Sequence, residues 1–304
     1  MTISRRHAIG ILGAAGAGAF VLNNISRSAA APSTYGPCLT PQPKPTDQGI
    51  ELSQSVGSSQ EPELNQHVGT ATDEPVLRLH QMVAQTKAWT KDHLQKNGGK
   101  LILPYAFLDG VPKQHDWVNS FASGWLVAAG ASTIALKLET DPTKALIRIK
   151  FTRDASGSGS WSKVGNDAWD LRRRSNIATM MIEDMVPTMS DKLAQFYVLH
   201  EFGHALGLLH EHAYPGAVQW NKQVVLDYYK THYAWDEAKV TANVFNVYTD
   251  GFVCSGLNFD PASVMQYPIK EGHATIKNRP DIKEIGYNST LTAGDLKCAH
   301  AVYG

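Results

Sequence analysis

From Lys100 onward the chain alternates short apolar runs with longer amphipathic ones. "LILPYAFLD" (101–109) and "ALIRIKF" (145–151) carry the composition and alternation of strands, and "SNIATMMIED" (175–184) predicts another. "PKQHDWVNSFASGWLVAAG" predicts a helix that starts near Pro112, where a proline costs no hydrogen bond. Between them, "RDASGSGSWSKVGNDAW" is Gly/Ser turn material with room for a short strand at Trp161 to Val164. After Pro215 the strand patterns thin out, and "VVLDYYKTHY" (224–233) and "DEAKVTANVF" (236–245) have helical spacing. Strands interleaved with helices predict an α+β, mixed α/β fold: a mixed sheet packed on helices, with a helical C-terminal part.

The N-terminal third has a different texture. "EPVLRLHQMVAQTKAWTKDHLQKNGG" places Val76, Leu79, Met82, Val83 and Trp89 near helical spacing, and Asn97-Gly98-Gly99 supplies a stop. The pattern predicts one helix within an otherwise flexible linker or pro-segment, residues 31–97, since residues 31–75 hold seven of the fifteen prolines and the Ser/Gln-rich "ELSQSVGSSQ". Ahead of it, "SRRHAIGILGAAGAGAFVLNN" pairs Arg5 and Arg6 with an apolar Gly/Ala run and then small residues. That order predicts a cleavable, twin-arginine-like export signal over residues 1–30, too short and glycine-rich to stay as a membrane span. The catalytic unit is expected over residues 98–304, secreted or periplasmic.

Composition narrows this only a little. A hydrophobic share of 43% and a charged share of 18% are those of an ordinary globular protein. Residues 1–30 contain three of the 28 Lys+Arg and none of the 28 Asp+Glu, so the remainder carries a slight acidic excess. A basic nucleic-acid binder is excluded on that ground, and no stable membrane insertion is expected once the signal is removed. Three cysteines, Cys38, Cys254 and Cys298, leave one without an intrachain partner, and Cys254 with Cys298 is the expected bridge.

Candidate chemistry concentrates in "HEFGHALGLLHEH" (200–212). The preceding "TMSDKLAQFYVL" has N-cap candidates in Thr188 and Ser190, with Asp191 at the capping-box distance from Thr188. Inside that helix His200 and His204 lie four apart, so their imidazoles project from one face and one zinc ion can join them at ~2.0–2.1 Å. Glu201 is rotated off the ligand pair but stays close enough to act on water at the metal, which is the logic of HExxH. Gly207 can adopt a left-handed conformation, turning the chain so that His210 returns as a third ligand. Three histidines leave a fourth position open, the arrangement of a catalytic rather than a structural zinc.

The extended HExxHxxGxxH resembles the mark of the metzincin zinc metallopeptidases. "SVMQY" (263–267) is similar to the methionine-containing turn of the astacin branch, "HEFGHALGLLHEH" to its zinc motif, and "IRIKF" and "GSWSKVG" to its strand and tryptophan-containing edge. The resemblance runs from about Lys100 to the end and implies a metzincin, zincin-like fold. It implies zinc on His200, His204 and His210, Glu201 as general base, and Met265 as an apolar floor. Tyr267 corresponds to a tyrosine that stabilises the oxyanion, and Glu211 to an acid that pairs with a freed N-terminus. Ser160 precedes Trp161 and no cysteine stands in the stretch leading into the helix of His200, so the paired cysteines of animal astacins are absent and the likeness is to bacterial-type members.

The implied activity is that of a zinc metalloendopeptidase acting on protein or peptide substrates, which would pair with an edge strand near Trp161 to Val164. Two alternatives use the same motif: an exported zinc amidase for cell-wall peptides, and a non-catalytic protein that keeps the zinc fold. His212 reads as a second-layer or surface residue, "RRR" (172–174) as solvated, and "NST" (288–290) as a glycosylation pattern without a use behind a bacterial-looking signal.

Overall fold

A computed structural model describes residues 81–84, 87–153, 159–247, 252–254 and 259–304. The export signal and most of the segment 31–97 lie outside these residues. Where that segment is described, it is not the expected helix. Strand β1 (Gln81–Ala84) pairs antiparallel with Phe252–Cys254, and β2 (Lys96–Asn97) forms a hairpin with β3 (Lys100–Phe107). Asn97 pairs with Lys100, so Gly98 and Gly99 are the loop, both at positive φ (58° and 83°). Two successive positive-φ residues are what a type I′ hairpin turn demands, and glycines adopt them without steric cost. Asn-Gly-Gly is therefore a strand reversal rather than a helix stop. Trp89, which fits a helical period, is drawn into the main core instead, together with Leu94.

β3 also pairs in parallel with β4 (Ile134–Leu138) and β5 (Ile147–Lys150). β7 (Met180–Met181) runs parallel to β5, and β6 (Trp161–Ser162) closes the path antiparallel to β7. The mixed sheet expected from the alternating pattern is present and has six strands, with the order β2-β3-β5-β7-β6 and β4 beside β3. β4 had no separate signal in the sequence. Helices α1 (Pro112–Phe121) and α2 (Gly124–Ala128) divide the long helix predicted from Pro112. Within β5, Arg148 breaks the apolar rule: it is fully buried, and its guanidinium donates to the carbonyls of Ala145, Leu171 and Ile177. A buried cation is tolerated when every donor is satisfied, and burial still lowers its pKa.

Helix α3 (Asp191–Ala205) carries the histidine motif. Ser190 rather than Thr188 caps it, accepting a hydrogen bond from the Leu193 amide. Residues Phe196 to Ala205 are all buried, as expected of a helix enclosed on every side. Such a helix cannot leave its terminal carbonyls to water, so they need protein donors. The Trp89 indole donates to the Ala205 carbonyl at 2.7 Å and the Tyr303 hydroxyl to the Leu206 carbonyl at 2.8 Å. The Trp89 amide in turn donates to the Tyr303 oxygen.

The C-terminal part contains the predicted helices as α4 (Lys222–Tyr233) and α5 (Glu237–Val240), the latter running into a π-helical turn at Thr241–Phe245. A two-stranded ladder joins β8 (Val218–Trp220) to β10 (Ala274–Ile276), and Phe252–Cys254 is β9. Helix α6 (Ala293–Tyr303) packs on β1 and β9, and its Cys298 is disulfide-bonded. Among the described residues no helix is long and apolar enough to cross a membrane.

Replacing Tyr303 by Phe removes one donor and leaves the Leu206 carbonyl and the Trp89 amide unsatisfied in a buried place. We expect Tyr303→Phe to lower unfolding free energy by about 1–3 kcal/mol in urea titrations.

Candidate metal centre

The end of α3 shows how the ligands are brought together. Gly207 has φ 98°, its amide donates to the His204 carbonyl, and the Leu208 amide donates to the Gly203 carbonyl. This is a Schellman closure with glycine in the left-handed position, the bend expected from the sequence. It returns the chain so that His210 faces the helix. His204 Nε2 and His210 Nε2 are 3.0 Å apart, and one ring nitrogen from each of His200, His204 and His210 lies within 4.8 Å of the others.

The orientations of His200 and His204 have a backbone cause. His200 Nδ1 lies 2.7 Å from the Val264 carbonyl and His204 Nδ1 2.9 Å from the Leu208 carbonyl. A carbonyl only accepts, so Nδ1 carries the proton in both and Nε2 presents its lone pair to the shared space. Burial keeps all three imidazoles neutral: His200 and His210 titrate well below the ordinary histidine value, and His204 is pulled down to about 4. His200 Nε2 is buried without a hydrogen-bond partner among the described residues. Three desolvated lone pairs aimed at one point are costly together unless a cation lies between them, so the site fits a zinc ion.

The other predicted residues are also buried, and Tyr267 lies beside the cluster. Glu201 is fully buried on α3, next to His200. Met265 is fully buried, and the Met265 carbonyl accepts from the Glu211 amide. The Tyr267 ring lies 4.2 Å from that of His210 and 6.2 Å from that of His200. Glu211 is fully buried; its Oε1 accepts from the Asp260 amide at 2.6 Å. Burial first, and then Asp295 and Asp260 nearby, push its pKa well above the ordinary carboxylate value despite that amide.

Several residues that hold this arrangement had no local signal in the sequence. Asp295, buried in the first turn of α6, accepts from Ser263 Oγ at 2.7 Å and from the amides of Val264 and Thr292. Ser263 Oγ then accepts from the Met265 amide. One carboxylate thus ties the cap of α6 to the methionine-containing turn. Asn288, in the glycosylation-like "NST", donates to the carbonyls of Pro261 and Ser263 and has a structural role. Gly203 sits inside α3 where a Cβ would come within 2.3 Å of Met265 Sδ and 2.9 Å of the Trp125 ring. His212, read as a second-layer or surface residue, is only 2% exposed and stacks against the site. These roles depend on partners far away in the chain, so spacing alone could not reveal them.

The sheet, the buried helix and the histidine cluster correspond to the metzincin architecture of astacin-type zinc metallopeptidases. Among solved structures the chain is similar to myroilysin, with 28% identity over 73% of this chain and 97% of that one and a TM-score of 0.59. It also aligns with high choriolytic enzyme 1, a hatching enzyme zinc-protease from Oryzias latipes, at 17% identity, 71% and 97% coverage and a TM-score of 0.47. Protein SpAN of Strongylocentrotus purpuratus is 24% identical over 290 residues, 89% of this chain. The chain spans 41% of the length of SpAN. No family model matches the chain.

Two outcomes test the centre. Alanine is normally preferred to glycine inside a helix by ~1 kcal/mol, but at 203 overpacking against Met265 and Trp125 costs about 1–3 kcal/mol. Gly203→Ala should therefore lower the melting temperature and weaken zinc retention in competition with a chelator. The metal-free protein should also lose stability as pH falls below about 6.5. The unfolded imidazole of His204 takes up its proton near that pH and the folded one only near 4, so acid favours the unfolded chain. Thermal unfolding between pH 7 and pH 4.5 measures it.

Proposed function

We propose that the chain is a zinc-dependent endopeptidase, with His200, His204 and His210 as metal ligands, Glu201 as general base and Tyr267 as oxyanion donor. The observation that carries the reading is the meeting of three neutral, buried imidazoles, two of which, His200 and His204, have their proton-bearing nitrogens committed to backbone carbonyls. When bound there, zinc supplies Lewis acidity, polarising a peptide carbonyl and lowering the pKa of water towards ~7.

The remaining steps belong to the chain. Glu201, one residue beyond His200 and about 100° around the helix, is placed to accept a proton from the attacking water. It then returns that proton to the leaving amine. Tyr267, with its ring against His210, is placed to donate its phenolic hydrogen to the oxygen that gains charge at the scissile carbon. Met265 fills the space under the ligands with apolar volume, and its contact with Gly203 leaves no room for water. An extended substrate is taken to lie along β6 (Trp161–Ser162), the terminal strand of the sheet path. Residues 1–30 are taken as an export signal on their paired arginines and apolar run, placing the enzyme outside the cytoplasm.

Glu201→Gln should abolish peptide hydrolysis, by at least about 10²-fold, while one zinc per chain is retained in metal analysis, because the base is not a ligand. Turnover at the parent rate in that variant would remove Glu201 from the chemistry. Tyr267→Phe should lower kcat without a matching rise in KM, since the phenol acts on charge absent from the bound substrate.

A further inference from the structure

His212 is the histidine of the 200–212 stretch that the metal cluster leaves unused. Its Nε2 lies 3.1 Å from the Asn243 carbonyl, so Nε2 carries the proton and donates. That bond fastens the ring to the π-helical turn Thr241–Phe245. Trp220 meets the ring edge-on, with centroids 5.9 Å apart and planes at 82°. Two contacts from different parts of the chain thus immobilise the imidazole.

The imidazole also lies against the chemistry. It approaches the Tyr267 ring at 4.5 Å with planes 35° apart, and stacks on His210 at 5.0 Å and 24°. With His210 and Tyr267 at 4.2 Å, the three rings touch pairwise. A tyrosine ring carries its one polar atom at the tip, so the rings against its faces set its lateral position. A donor to developing charge must be in place beforehand to within ~0.5 Å, because reorganisation during the reaction raises the barrier.

We propose that His212 is a positioning residue for Tyr267: its ring, fixed by the Asn243 carbonyl and by Trp220, forms the wall that holds the phenol in register with the metal. The inference rests on the peptidase reading and on the part Tyr267 has in it. His212 touches neither substrate nor metal, so its effect on turnover passes through Tyr267.

A double-mutant cycle tests this, using zinc-loaded protein, a peptide substrate, and kcat, KM, zinc content and melting temperature for every variant. His212→Ala should lower kcat about tenfold, keep KM within about twofold and keep one zinc per chain. In the Tyr267→Phe background the same change should alter kcat by less than about twofold, because the group it positions is gone. His212→Phe retains a ring and should recover most of the rate. His212→Gln, which keeps an N–H donor but no ring, should not, and this pair carries the test if His212→Ala fails to fold. An equal loss in both backgrounds, a full rate in His212→Gln, or loss of zinc with His212→Ala would overturn the positioning role. An unchanged kcat in Tyr267→Phe would instead overturn the role of Tyr267 itself, so the two failures are distinct.

Discussion

Three uncharged, buried imidazoles facing one another are the constraint around which the molecule is arranged. Neutral rings have two tautomers, and only one presents the correct nitrogen. Here the choice is made by two backbone carbonyls, from Leu208 just beyond the glycine bend and from Val264 in the methionine-containing turn. The bend and the turn are therefore part of the metal chemistry as well as its scaffold. Asp295, by gripping Ser263 and the Val264 amide, extends the same requirement to the first turn of α6.

Burial follows from that constraint. Keeping the ligands neutral requires a helix with no wet face, and a helix with no wet face must dispose of its terminal carbonyls inside the protein. The Trp89 indole and the Tyr303 hydroxyl meet that need. The mixed sheet supplies the wall against which the helix is buried, and β6 and α1 lie along it. Gly203 lets Met265 approach more closely than any side chain at that position would permit.

What was legible in the sequence shares one property: the information is local. His200, Glu201, His204, Gly207 and His210 fall within a helix and the turn after it, so the periodicity of a single element places them. The strands at β3 and β5 and the helices α3 and α4 announce themselves in the same way. The segment before Lys100 misled because apolar residues at helical intervals also occur in irregular chain whose side chains, such as Trp89, enter the main core. Asn97-Gly98-Gly99 then allowed two meanings, and only the pairing of Asn97 with Lys100 decides between them. Asp295, Trp89, Tyr303 and His212 carry ordinary side chains whose importance comes from partners distant in the chain. For these no local pattern exists to be read.

The closure of Trp89 on Tyr303 spans 214 positions. The ligand-bearing helix and its glycine bend involve only neighbours and can take shape within microseconds, whereas drawing such remote segments together carries the loop entropy of most of the domain. On loop entropy, burial of the histidines is expected to follow the long-range contacts in folding. A helix that forms early is finished by side chains that arrive last.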